Sequence, residues 1–237
     1  MLKANTNINS KTDFVNGQLL LFDKPLNWTS FDLVKKIRNI IKSSQNLKKL
    51  KVGHAGTLDP LADGLLIICT GKLTKKIHEI QNLQKVYTGT ITIGATTPSF
   101  DKETPINKIY EISHINEKKI IKNCENFLGE IIQVPPIFSA IKLNGKRMYE
   151  YARNGDNITV KKRIVTIHSF TIKKVKIPDI KFKVICSKGT YIRSLANDFG
   201  KSLNSGAYLS GLRREKIGEY NLKDSYNIES FKKNILL

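Results

Sequence analysis

Asp59 stands in Gly53-His54-Ala55-Gly56-Thr57-Leu58-Asp59-Pro60-Leu61-Ala62-Asp63-Gly64, a short stretch rich in glycine with one carboxylate locked by the residue after it. Pro60 biases Asp59 away from the α region, and Gly53, Gly56 and Gly64 permit a close backbone approach. The apolar run Leu65-Leu66-Ile67-Ile68-Cys69-Thr70-Gly71 follows and reads as a buried strand. A carboxylate on a loop braced by a buried element suits nucleophilic or acid–base work. The same Asp-Pro pair also opens ordinary turns, and local chemistry leaves the two readings level. Asp63 adds a second carboxylate nearby. Four histidines and three cysteines fall into no metal-ligand spacing. No phosphate-cradling loop is present, so no metal and no cofactor is expected.

The elements that must hold this loop follow from periodicity. Gly17 to Asp23 is an expected buried strand, ended by Lys24-Pro25. Thr29 and Asp32 can form a capping box for a helix to about Lys42, with Phe31, Val34, Ile37, Ile40 and Ile41 as its apolar stripe. A helix is expected over 71–83, with Leu73, Ile77 and Ile80 on one face. Residues 85–96 alternate as a half-buried strand with Tyr87 near its start, where the plain role of the ring is packing on the sheet. A loop runs from Pro98 to Pro105. Residues 116–128 predict an amphipathic helix with Ile120, Ile121, Cys124, Phe127 and Leu128 inward, stopped by Gly129. Residues 134–153 read as strand, Asn144-Gly145 hairpin turn and short basic helix. There Lys142, Lys146, Arg147 and Arg153 cluster with Tyr149 and Tyr151, a mixture suited to RNA backbone and exposed bases.

Two long strands are expected over 160–177 and 180–186. A helix follows with Thr190 as N-cap and Ile192, Leu195, Phe199 and Leu203 on its buried face. Arg193 falls off that stripe in the first turn, where the helix dipole disfavours a cation. A carboxylate partner would offset the cost, and Asp59 is the candidate. Residues 207–217 contain Leu212, Arg213 and Arg214, and a terminal helix is expected over 228–235.

The chain of 237 residues carries 40 basic and 20 acidic side chains, a net charge of +20. A polyanionic partner explains this excess. An AT-rich, lysine-biased coding sequence also produces it. Arginine helps to separate the two: only seven of the 40 basic residues are Arg, and six of these, Arg147, Arg153, Arg163, Arg193, Arg213 and Arg214, fall in the second half, where a planar fork serves phosphate or carboxylate. The longest apolar run is far short of a membrane span. Residues 1–16 lack an apolar signal core and read as a flexible lead-in to a cytoplasmic protein. Cys69, Cys124 and Cys186 look like reduced core cysteines.

The twelve-residue stretch closely resembles the catalytic-aspartate motif of the TruB family of tRNA pseudouridine-55 synthases. Four further segments resemble that family in order: Leu19-Leu20-Leu21-Phe22-Asp23-Lys24-Pro25 with Trp28-Thr29-Ser30, the residues around Tyr87, Val134 to Arg153, and Lys188-Gly189-Thr190-Tyr191-Ile192-Arg193. Leu212-Arg213-Arg214 resembles its last motif. The resemblance covers residues 17 to 230. It implies an α+β pseudouridine synthase fold, a mixed and largely antiparallel central sheet flanked by helices, with 17–237 as one catalytic domain. It implies an isomerase that flips a uridine out of the T arm of tRNA (position 55), breaks its glycosidic bond and rejoins the base through C5. Asp59 is then nucleophile or base, Arg193 its ion-pair partner, and Tyr87 and Tyr191 position the base beside Leu212. His54 holds the flipped conformation, and Lys24, Arg213 and Arg214 support the site or contact phosphate. Asp63 departs from the family pattern, where a small hydroxyl residue is common. The chain also stops where many bacterial relatives continue into a small C-terminal RNA-binding domain, so none is expected, and a monomer acting on tRNA is. Two other readings are a non-catalytic RNA-binding or RNA-folding protein on the same surface, and a hydrolase pairing Asp59 with Asp63.

Overall fold

The computed structural model describes residues 4–139, 141–143, 145–154, 156 and 159–236. The chain forms two compact units, Met1–Tyr87 with Arg213–Leu237, and Thr88–Leu212. Strands and helices alternate irregularly in an α+β arrangement, and the strand pairings with known register are antiparallel.

The first unit begins with β1 (Leu19–Lys24), α1 (Ser30–Ser44), β2 (Val52–His54) and β3 (Ala62–Thr70), then a 3₁₀ turn and α2 (Ile77–Gln81). β1 and β2 both pair antiparallel with β3, in registers running from Leu19↔Cys69 to Lys24↔Gly64 and from Val52↔Thr70 to His54↔Ile68. The run in β3 is continuously apolar because both of its faces are covered. Leu66 and Ile68 pack with Leu20, Phe22, Leu33, Ile37 and Ile41, whereas Leu65, Ile67 and Cys69 pack with Leu19, Leu21 and Ile80. Thr29 and Asp32 form the expected capping box. Phe31, expected on the buried stripe, is 62% exposed, and Leu33 is buried in its place. The reason is spacing: Leu33, Ile37 and Ile41 recur every four residues and set the inner line. Residues 4–16 are a packed strap rather than a flexible lead-in. Ile8 and Phe14 are buried, and the Ile8 N–H donates to the Tyr226 hydroxyl. Two apolar anchors six residues apart in a polar stretch leave no periodic signal.

β4 (Lys85–Ile93) starts in the first unit and runs on into the second. There follow β5 (Ala95–Thr96), β6 (Lys108–Ile109), α3 (Glu117–Asn123), β7 (Gly129–Gln133), β8 (Lys142–Leu143), β9 (Lys146–Arg147), α4 (Met148–Arg153), β10 (Arg163–Lys176), β11 (Asp179–Cys186) and α5 (Ile192–Ser202). β12 (Ala207–Ile217) runs back into the first unit, which β13 (Tyr220–Asn221) and α6 (Ile228–Ile235) complete. The second unit contains the strand run β12-β4-β11-β10-β7, and the first the run β1-β3-β12. Phe170 stacks edge-on against Phe127, Phe182 and Phe199 at 6.2, 5.8 and 5.4 Å, the centre of the second unit's core.

Several expectations change here. The helix expected over 116–128 ends at Asn123 and tightens into a 3₁₀ turn, whose three-residue period swings Leu128 outward. Ile121 is exposed too, because only one of the adjacent Ile120–Ile121 pair can face the core. β7 was not anticipated; Ile132 on it is exposed and breaks the alternation. Asn144 of the hairpin turn lies outside the described residues, although β8 and β9 pair as expected. The N-cap of α5 is Tyr191, not Thr190, whose hydroxyl turns back to the Ser187 carbonyl. Arg193 is buried, because α5 is covered nearly all round from Ile192 to Asn197. All three cysteines are buried and outside any disulfide. Burial pushes the thiols of Cys69 and Cys124 up to about 12, which leaves them unreactive. No described helix is long and apolar enough to cross a membrane.

Candidate active site

The Asp59 loop connects β2 to β3 within the first unit, and its backbone is pinned from three sides. The Ser30 hydroxyl, in the first turn of α1, accepts from the Leu58 N–H at 2.8 Å and donates to the Leu58 carbonyl at 3.1 Å. The Asn27 N–H donates to the Pro60 carbonyl at 2.8 Å, and the Ala62 N–H to the Asp59 carbonyl at 3.1 Å. Arg214 lies beneath, almost fully buried. Its guanidinium donates to the carbonyls of Leu65 at 2.7 Å, Gly56 at 3.0 Å and Thr57 at 3.5 Å. A planar fork of donors suits three carbonyls where a point charge would not, so Arg214 acts as the brace of the loop. Gly64 closes the stretch at φ 101°, where an added Cβ would lie 2.5 Å from the Arg214 carbonyl oxygen. Only glycine fits there.

Charges cluster around this loop. Lys24 is fully buried and its ammonium donates to the carbonyls of Pro25 and Trp28 at 2.9 and 2.6 Å. Burial lowers its pKa to about 8, against the pull of Asp63 and Asp59. Arg213 joins two carboxylates, Asp23 at 2.7 Å and Asp63 at 2.6 Å. Burial opposes its charge, but the two pairs outweigh it and raise its pKa. Asp63, the departure from the family pattern, is thereby paired with Arg213, which it shares with Asp23. His54 ends β2, and its Nδ1 is buried. Burial and then the Arg214 charge lower its pKa, so the ring is neutral at pH 7 and fit for contact rather than for holding charge. Tyr87 is buried near the start of β4.

The second unit carries Tyr191, Arg193 and Leu212. The Arg193 guanidinium lies 3.5 Å from Asp101 and donates to the Ser99 carbonyl at 3.2 Å. Asp101 is buried and accepts from the Ser99 hydroxyl at 2.6 Å and from the Glu103 N–H at 2.9 Å. Within this unit, Asp101 supplies the carboxylate that offsets a cation in a first helical turn. The sequence reading passed over it as part of a loop; its signal was the Ser99-x-Asp101-x-Glu103 pattern of a side chain folding its own turn. The backbone of Tyr191 is held by the buried Gln133, and its ring lies under Arg163, whose guanidinium carbon is 5.2 Å from the ring centroid. Leu212 is half-buried on β12.

The structure thus gathers Lys24, His54, Asp59, Arg213 and Arg214 in one unit with Tyr87, and Tyr191, Arg193 and Leu212 in the other. The family model of the TruB family pseudouridylate synthase N-terminal domain matches residues 42–192. The chain belongs to the TruB family. It is 55% identical over 224 residues to the tRNA pseudouridine synthase B of Flavobacterium johnsoniae, across 94% of this chain and 98% of that protein. It is 50% identical over 219 residues to the protein of the same name from Phocaeicola vulgatus, across 92% and 93%. Among solved structures it resembles an H/ACA RNP bound to a substrate RNA containing 2′-deoxyuridine (TM-score 0.68, 24% identity) and a Cbf5-Nop10-Gar1 complex (0.68, 26%). Each match covers 98% of this TruB-family chain but only 59% and 60% of the solved chain. The first likeness shows the pseudouridine synthase fold alone.

Proposed function

We propose that this TruB-family protein isomerises uridine 55 in the T arm of tRNA to pseudouridine. The observation that carries the reading is the 55% identity to a tRNA pseudouridine synthase B along almost the whole of both chains. The geometry supplies the means. The target base is taken out of its stack and meets a carboxylate on a loop held at Leu58 by Ser30 and from beneath by Arg214. Asp59 acts as nucleophile or base. The N1–C1′ bond breaks, the base rotates, a C5–C1′ bond forms, the proton on C5 leaves and N1 takes up a proton, so that the product is an isomer of the substrate. Arg193 pairs with Asp59 and holds it ionised, with Asp101 fixing the guanidinium. Tyr87 and Tyr191 position the base beside Leu212, and neutral His54 supports the flipped nucleotide. Arg213 and Arg214 hold the loop, and Lys24 supports the site beside it or contacts phosphate. On this proposal the enzyme acts in the cytoplasm, where tRNA is found.

The test uses tRNA labelled with tritium at C5 of uridine. Wild-type protein should release label, and Asp59→Asn should release none while binding tRNA within about threefold of wild type, since phosphate contacts carry the binding. Turnover by the variant removes Asp59 from the mechanism. Binding without release by the wild type removes the enzyme reading.

A further inference from the structure

The last residue of β7 and the first of β10 lie directly opposite each other in the ladder, as the register pair Gln133↔Arg163. Both reach the same third residue, Tyr191. Gln133 is fully buried, at 0% exposure. A buried primary amide is tolerated only when both of its halves are hydrogen-bonded, and here one residue meets both. The Gln133 Oε1 accepts from the Tyr191 N–H at 3.0 Å, and its Nε2 donates to the Tyr191 carbonyl at 3.2 Å. That carbonyl also accepts the first bond of α5, from the Leu195 N–H at 3.0 Å. The Tyr191 side chain does not cap α5, and Gln133 ties the start of the helix to the strand. A second tie follows at once, from the Ser194 hydroxyl to the Val134 carbonyl at 2.7 Å.

Arg163 treats the ring as Gln133 treats the backbone. Its guanidinium carbon stands 5.2 Å from the Tyr191 ring centroid, within the range of a cation–π contact. Lys161 and Lys162 precede it, and the arginine occupies the position opposite Gln133. A planar guanidinium stacks on an aromatic face where an ammonium does not. Backbone and one ring face of Tyr191 are therefore both fixed, and a base stacking on it meets the face turned away from Arg163.

We propose that Gln133 and Arg163 are positioning residues that together seat Tyr191 for the target base. The inference rests on Tyr191 lining the base pocket, as set out under Proposed function. A seat acts through its occupant, so its contribution must vanish when the occupant is gone. The experiment is a double-mutant cycle of Gln133→Met and Arg163→Met, each in the wild-type and the Tyr191→Leu background. It is read by single-turnover pseudouridine formation with enzyme in excess, by tRNA Kd and by thermal midpoint. Transfer RNA bearing 2-aminopurine beside the target uridine reports base insertion where chemistry in Tyr191→Leu is too slow to follow.

With Tyr191 present, each substitution should lower the single-turnover rate about tenfold and leave Kd within about threefold. With Tyr191→Leu, the same substitution should change rate or insertion less than about twofold. Arg163→Lys, which keeps the charge but not the plane, should behave as Arg163→Met. If Gln133→Met fails to fold, Gln133→Glu takes its place, since it still accepts from the Tyr191 N–H. Equal losses in both backgrounds, or no loss beside Tyr191, overturn the seat. A wild type that makes no pseudouridine overturns the enzyme reading instead, and the two failures are distinct.

Discussion

Arg213 and Arg214 are neighbours in the chain and do opposite work. Successive side chains on a strand point to opposite faces, so Arg213 meets Asp23 and Asp63 while Arg214 turns beneath the Asp59 loop. Arg214→Lys keeps the charge but replaces a fork by a single point, leaving buried carbonyls unmet. It should destabilise the protein by about 2–3 kcal/mol in urea denaturation and lower turnover with it. Lys24 allows a test by pH. Its folded pKa of about 8 lies below the ordinary lysine value, so the unfolded state binds more protons between about pH 8 and 10.5. Stability from this group is therefore lowest below pH 8 and rises with pH through that window. Wild type should gain on Lys24→Met by about 2 kcal/mol between pH 7.5 and 10. A stability difference that is flat across this range would remove the buried ammonium from the account.

The loop between β2 and β3 shows how elements turn a flexible sequence into a fixed one. Ser30→Ala removes both hydrogen bonds to Leu58 and should cost about 1–2 kcal/mol. Its mark should be a lower kcat with tRNA affinity unchanged, because the loop carries the carboxylate and not the binding. Gly64→Ala forces a Cβ into the Arg214 backbone and should cost more, about 3 kcal/mol or loss of soluble protein. What was legible beforehand is what neighbouring residues decide: the Thr29–Asp32 capping box, the covered strand after Gly64, the paired long strands and the terminal helix. The motif residues themselves were legible because their types follow one another in a short run. What was not legible depends on partners far along the chain. Asp101 gains its meaning from Arg193, 92 positions later, and Gln133 from Tyr191, 58 positions later. The turn around Asp101 does not reveal its distant partner, no local pattern marks Gln133, and the strap at Ile8 and Phe14 was hidden for the same reason.

At the scale of the molecule, a net charge of +20 sets how tRNA is gathered. Neutralised phosphates release counterions, so log K should fall by about 0.9 per phosphate contact for each decade of salt on duplex RNA or DNA. With about six contacts, affinity should drop around 10³-fold between 50 and 200 mM salt, while the rate of the bound complex stays level. A shallow slope would mean that the lysines are solvated decoration. The order of the chain also sets a clock. Residues 88–212 form an uninterrupted unit, whereas the first unit is finished only by residues 213–237. The carbonyls of Leu65 and Gly56 wait for Arg214, 149 and 158 residues downstream. At about 5–20 residues per second, the reactive loop leaves the ribosome on the order of ten seconds before its brace exists. A chain cut short ahead of residue 213 therefore carries the whole aspartate motif without its Arg214 brace, and such a fragment should leave tRNA unmodified.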